Sequence, residues 1–276
     1  MPSRREFLGA AGAWAASGLF QHEGEITLVD YHVHLEGRIT LERALEISKE
    51  RGVRFGIVQH AGTEAKRKSY PEIISSDAAM RRHIASLAGT PFLKGVQAEG
   101  LDWPSCFSKE AVAELDYVLS DALTLPGKDG SFTELWWPSV KIADKEDFME
   151  RYLDFHLQVI SREPIDILAN PLYMPQCLEA EYDALWTPKR MRAIADAALK
   201  HNVAIEINEA FKLPRRPFIA MAHEAGIKFS FGSNQHNETI GKMDYARQVI
   251  REFNLEPKDI WTPAPKGMKP VEVRKL

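Results

Sequence analysis

His32 and His34 are separated by one residue at the end of an apolar run, with Asp30 two positions before the first of them. Alternate side chains of an extended strand point the same way, so both imidazoles can enter one cavity and share a divalent ion. A lone pair of this kind also occurs as two satisfied core histidines. Its meaning comes from company: His60, Glu99 and His236 stand at the ends of other apolar runs. Imidazole and carboxylate donors together predict a centre of one or two divalent ions, with zinc, manganese or iron all compatible. Glu99 and His236 are the candidate catalytic residues of such a centre. The expected chemistry is hydrolysis, because a bound metal acidifies water and polarises a phosphoryl or carbonyl oxygen.

The elements that must position these groups are short runs rich in Val, Ile, Leu and Phe. They fall at 26–32, 54–58, 92–98, 117–119, 165–169, 203–207 and 228–231, each with the pattern of a strand buried on both faces. Helix patterns lie between them at 41–51, 76–88, 109–115, 147–162, 188–201, 216–225 and 243–253. Thr40 and Thr187 are placed as N-caps, the latter followed by Pro188, and Gly226 is placed as a stop. Strand–helix alternation implies parallel strands with right-handed crossovers. Without a Gly-x-Gly-x-x-Gly loop, the fold class predicted is α/β, a distorted (β/α)7 TIM-like barrel. Reactive groups of such barrels collect at the C-terminal strand ends. Those ends carry His32 and His34, His60, Glu99, Ser120-Asp121, Asn170, Glu206 with Asn208 and Glu209, and Asn234 with His236. Asn170, Glu206 and Asn234 are therefore expected to face substrate. Lys66-Arg67-Lys68 and Lys212 with Arg215 and Arg216 follow strand ends, and the latter two arginines are expected to hold a small anionic, phosphorylated substrate. Trp136 and Trp137 are placed to form an apolar lid or a plug.

The remaining features bound the setting. Arg4-Arg5 precedes a weakly apolar Ala/Gly-rich stretch from Gly9 to Phe20, which reads as a twin-arginine signal over 1–24. The expected partner is the twin-arginine export machinery and the expected location periplasmic or secreted. The stretch is too short and too glycine-rich for a stable membrane span. A net charge of −4 gives no footprint of a nucleic-acid binder. The two cysteines, Cys106 and Cys177, are too few for a disulfide framework and are read as packing residues. The barrel is expected over 25–255. The segment 256–276 carries Pro257, Pro263, Pro265 and Pro270 and is expected to be an extended strap. His83, His156, His201 and His223 fall on helix patterns and are read as surface or capping residues.

Over roughly 26–240 the chain resembles the PHP (polymerase and histidinol phosphatase) family of metal-dependent phosphoesterases, as a divergent exported member. The resemblance rests on Asp30-Tyr31-His32-Val33-His34, Ile57-Val58-Gln59-His60, Glu99, Asp166-Ile167-Leu168-Ala169-Asn170-Pro171, Ile205-Glu206-Ile207-Asn208 and Gly232-Ser233-Asn234-Gln235-His236. It implies a distorted seven-stranded barrel and a cluster of two or three metals that activates water for phosphoester hydrolysis. The chain departs from that pattern at Gln59 and Asn234, where the family has aspartate, at Asn170, where it has histidine, and after strand four. There Ser120-Asp121-Ala122 replaces a histidine, and Asp121 stands where it can substitute as a ligand. Neutral amides remove strong donors, so the resemblance implies a reduced centre on His32, His34, His60, Glu99 and His236. The same departures favour a second reading, a degenerate barrel that binds a ligand or partner without catalysis. A third, an amidohydrolase-type C–N hydrolase, shares the His-x-His opening but would need histidines where Asn170 and Glu206 stand and an aspartate where Asn234 stands.

Overall fold

The computed structural model describes residues 26–37 and 39–274. The predicted export segment at 1–24 lies outside them. The seven apolar runs are the strands of one closed barrel: β1 (Val29–Val33), β2 (Arg54–Ala61), β3 (Leu93–Ala98), β4 (Tyr117–Ser120), β7 (Ile167–Leu168), β8 (Ala204–Asn208) and β9 (Phe229–Gly232). All neighbours are parallel, and β1 pairs with β9 to close the ring. The loop after β4 folds back as an antiparallel hairpin, β5 (Thr124–Pro126) and β6 (Phe132–Glu134), a feature the strand pattern does not reveal.

Helices α1 (Leu41–Arg51), α2 (Asp77–Ser86), α3 (Lys109–Ala113), α4 (Lys145–Arg162), α6 (Pro188–His201), α7 (Arg216–Glu224) and α8 (Asp244–Phe253) alternate with the strands, and a single turn, α5 (Tyr182–Leu185), precedes α6. Local chemistry sets their ends. Thr40 accepts from the Arg43 amide at 3.2 Å, and Thr187 does the same for Arg190 at 3.3 Å, with Pro188 opening the helix. Gly226, predicted as the stop after α7, has φ +76° and donates to His223 O at 2.9 Å. Among the described residues no helix is long and apolar enough to cross a membrane.

Inside the barrel, period-two alternation stacks an apolar base beneath a polar mouth. Leu93, Val58, Leu119, Ile167 and Ala204 form the base with Tyr31, Tyr117 and Trp261. Tyr117 lies across Gly56 and Gly95, where any Cβ would collide with its ring, and its hydroxyl donates to Tyr31 O at 2.6 Å. One strand breaks the alternation. Between Asp30 and Val33, β1 carries one more residue than its partner β2, a bulge at the point where chemistry begins. It allows neighbours in sequence to serve the same interior: Tyr31 packs edge-on to Tyr117 and Trp261, while His32 reaches Glu206 and Gln97.

Two expectations need correction. The segment after Glu256 is a strap with two helical turns, at Pro257–Asp259 and at α9 (Pro270–Val273). It inserts Trp261 into the barrel base, and Lys269 and Arg274 donate to the free carbonyls at the ends of α3, α4 and α6. His156 is buried rather than superficial: it sits on α4 against Tyr152 and Trp186, its Nδ1 bonded to Tyr152 O at 2.8 Å, and burial pushes its pKa down to about 4. Cys106 and Cys177 are free thiols.

Candidate metal centre

The C-terminal strand ends open into a cavity of about 880 Å³, with His34, Glu36, His60, Asp121, Asn170, Asn234 and His236 on its floor and rim. Tyr70, Trp136 and Phe211 form its aromatic sides, so Trp136 lines the mouth while its neighbour Trp137 is exposed. Of the sequence-predicted residues, the structure brings His32, His34, His60, Glu99, Asp121, Asn170, Glu206, Asn234 and His236 to this end of the barrel.

The histidines form an outer and an inner group. In the outer group four rings stack in series: Tyr70 on His60 at 4.2 Å, His60 on His34 at 4.7 Å and His34 on His236 at 4.6 Å between centroids. His34 is buried, and its Nε2 has no hydrogen-bond partner. Burial, and then the neighbouring His60, His32 and His236, hold its pKa well below the usual imidazole value, which favours the neutral ring. Donor atoms of His34, Glu36 and His60 lie within 4.8 Å of one another. Bonds of about 2.0–2.2 Å would set tetrahedral donors roughly 3.5 Å apart, so the three side chains would draw together on an ion. Glu99 accepts from His60 Nδ1 at 2.8 Å, which directs the other nitrogen of His60 outward. At the rim, Glu36 is bonded to His236 Nδ1 at 2.9 Å, and both are well exposed.

The inner group is saturated. His32 is fully buried, with Nδ1 2.7 Å from Glu206 Oε1 and Nε2 3.0 Å from Gln97 Oε1. Burial opposes its charge, but the Glu206 carboxylate and the bonds to Glu206 and Gln97 raise its pKa above the usual value. Burial likewise works against Glu206, yet His32 and the donors from Asn170 and Asn208 leave its carboxyl below the usual range. Gly232 makes room for this pair, since a Cβ there would meet Glu206 Oε1 and His32 Cβ. Asp121 accepts from Gln97, Asn170 and the Leu123 amide, and burial, then Glu99, pushes its pKa up to about 6. Asn170 and Asn234 both adopt φ of +46°, a left-handed conformation that asparagine tolerates better than most residues.

Several expected roles change with this geometry. Glu206 is occupied by His32, Asn170 and Asn208 and does not face substrate. Arg215 and Arg216 line a neighbouring groove of about 670 Å³ on the far side of Phe211. Arg215 pairs with Glu179 at 2.5 Å over the Tyr182 ring, and Arg216 pairs with Glu252 at 3.1 Å, so neither points at the histidines. Lys66 is buried against Asp102, and Arg67 is paired with Glu64. Asp30 is a latch: its carboxylate accepts from the amides of His32, Ser233 and Gly241 and ties β1 to the loop after β9. Glu36, Gln97 and Tyr70 escape the sequence reading. Period two back from Glu99 along β3 would have found Gln97, whereas Glu36, beyond the end of β1, and Tyr70 sit in loops with no periodic signal.

Fold and site together define a seven-stranded parallel α/β barrel with a histidine-rich mouth. No family profile matches the chain. It is 24% identical over 257 residues to a "Probable phosphatase" of Shewanella loihica, covering 87% of this chain and 91% of that protein. A "Probable phosphatase" of Shewanella piezotolerans is 26% identical over 250 residues, covering 83% and 87%. Among solved structures, the histidinol phosphate phosphatase of Lactococcus lactis, crystallised with zinc, L-histidinol and phosphate, superposes with a TM-score of 0.54. It is 12% identical, and the match covers 91% of this chain and all of that one; the likeness is one of fold.

Proposed function

We propose that the chain is a metal-dependent phosphoester hydrolase acting on small phosphomonoesters. The observation that carries this reading is His34, which has a buried, unpartnered Nε2 and a ring nitrogen grouped with donor atoms of His60 and Glu36 beside the cavity. An orphaned neutral imidazole at such a place is costly unless a ligand uses it. His34, His60 and Glu36 fit one divalent ion of the zinc, manganese or iron type, and Glu99 orients His60. Such an ion, when bound, acidifies water and neutralises charge on a phosphoryl oxygen. The side chains do the rest. Tyr70, Trp136 and Phe211 enclose the alcohol portion of the substrate. His236, held by Glu36 at the rim, donates a proton to the departing alcohol oxygen as the P–O bond breaks and the oxygen of water bonds to phosphorus. Sequence similarity to phosphatases along most of the chain supports the reading.

Hydrolysis of p-nitrophenyl phosphate is expected to vanish with a chelator and to return with zinc, manganese or iron(II). Aromatic walls should favour aryl over glycerol phosphate by about tenfold in kcat/KM, the size of one or two ring contacts. Hydrolysis that ignores the chelator overturns the reading.

We further infer that the twin-arginine segment directs export. Replacing Arg4 and Arg5 by lysine should retain the protein in the cytoplasmic fraction; unchanged fractionation removes this inference.

A further inference from the structure

We infer that His32 is not a metal ligand: it is one link of a closed ring of hydrogen bonds that replaces an inner metal site, so the chain holds a single ion at His34, Glu36 and His60. The inference rests on the proposed hydrolase reading and refines its centre.

The ring can be followed by donors and acceptors. Gln97 Nε2 lies 3.0 Å from Asp121 Oδ2, a carboxylate oxygen that accepts, so the amide oxygen of Gln97 is the atom turned to His32. His32 Nε2 lies 3.0 Å from that oxygen and must therefore carry a hydrogen. On the other side, Nδ1 donates to Glu206 Oε1 at 2.7 Å. The second oxygen of Glu206 accepts from the Asn170 amide at 2.8 Å and from Asn208 Nδ2 at 2.9 Å. Asn208 Nδ2 also reaches Asn170 Oδ1 at 2.8 Å, and Asn170 Nδ2 closes the circuit on Asp121 at 2.7 Å. Asn234 adds a donor to Asn170 Oδ1 at 2.9 Å, and Asp121 Oδ1 accepts from the Leu123 amide at 2.9 Å.

Both nitrogens of His32 thus point their hydrogens at acceptors, and neither has a lone pair for a cation. Seating an ion there requires stripping a proton from His32, turning Gln97 and breaking the Gln97–Asp121 bond. Beside it, the Nε2 of His34 is buried with no partner. Two histidines one residue apart have opposite surroundings: one is saturated within the protein, the other lines the cavity with a buried ring nitrogen left unpartnered. The ring positions the strand ends that carry the open site, and Gln97, Asp121 and Asn170 give the cavity a floor of neutral amides and one carboxylate.

Bound metal is the direct test. The full-length protein and its Asp121→Asn and His60→Ala variants are loaded with zinc, freed of excess by gel filtration and measured by mass spectrometry of the metal. About one equivalent is expected in the parent and in Asp121→Asn, with loss of binding in His60→Ala, since Asp121 holds the ring and His60 holds the ion. Nitrogen NMR of the imidazoles supplies a readout independent of variants: His32 should carry two ring hydrogens with and without zinc, while His34 and His60 respond. Two equivalents in the parent with one lost in Asp121→Asn, or a zinc-induced change at the His32 nitrogens, overturns the single-ion inference and leaves the hydrolase reading standing. Absence of bound zinc from the parent removes both.

Discussion

A His34→Ala variant is expected to lose divalent-ion binding and, on the proposed hydrolase reading, at least about a thousandfold in kcat, because the ion and the ordered water would together supply several kcal/mol of transition-state stabilisation. The loss should not come from unfolding. The Nε2 of His34 is buried and unpartnered, so alanine breaks no hydrogen bond at that atom. Removing an unsatisfied polar atom offsets part of the packing lost with the ring. With metal removed from both proteins, the unfolding free energies should therefore differ by no more than about 2 kcal/mol. The check combines steady-state kinetics, metal content and urea unfolding in chelator. A His34→Ala protein that keeps its ion and most of its activity would mean that hydrolysis is organised elsewhere.

The second large effect falls on stability. Glu206→Gln removes the carboxylate opposite the fully buried His32 ring. Breaking one partner of a buried pair typically costs about 3–5 kcal/mol. The pH dependence follows from the directions of the two pKa shifts. In the parent, His32 is raised, so its contribution is full below the ordinary imidazole value of about 6.5 and fades as pH climbs through the folded value. Glu206 is lowered, so its contribution is full above the ordinary carboxylate value and fades as acid protonates it in the fold. In Glu206→Gln, burial without the carboxylate favours neutral His32, and the unfolded chain then binds the extra proton below about pH 6.5. The gap between parent and variant should be widest near about pH 5–6 and narrow towards pH 8. Urea melts at three pH values measure it; a gap that grows with pH contradicts the pair.

Much of the framework is legible in the sequence because it depends on local rules. A strand buried on both faces reads as a continuous apolar run, and α6 has the predicted bounds because Thr187-Pro188 starts it. Convergence of His32, His34, His60, Glu99 and His236 on one end follows from strand polarity alone. What pattern cannot supply is the partner of each side chain. Whether His32 meets a cation, a carboxylate or an amide depends on Gln97 and Glu206, which lie 65 and 174 positions away. The basic residues mislead for a related reason: loop position puts Arg215 and Arg216 on the mouth side, but Glu179 and Glu252 pull them across Phe211. The bulge in β1 is invisible because its extra residue, within Tyr31-His32, looks like ordinary alternation.

The latch of Asp30 has a bearing on how the chain acquires its shape. Its carboxylate joins the first strand to Ser233, 203 positions later, and to Gly241 beyond that. Until β9 (Phe229–Gly232) has been synthesised, β1 has no neighbour on one side and the nascent sheet carries open edges. Pairings of such long sequence separation form slowly, and unpaired edges recruit other chains. Closure of the ring is therefore a late step in folding, and the open edges that precede it are the stage most exposed to association.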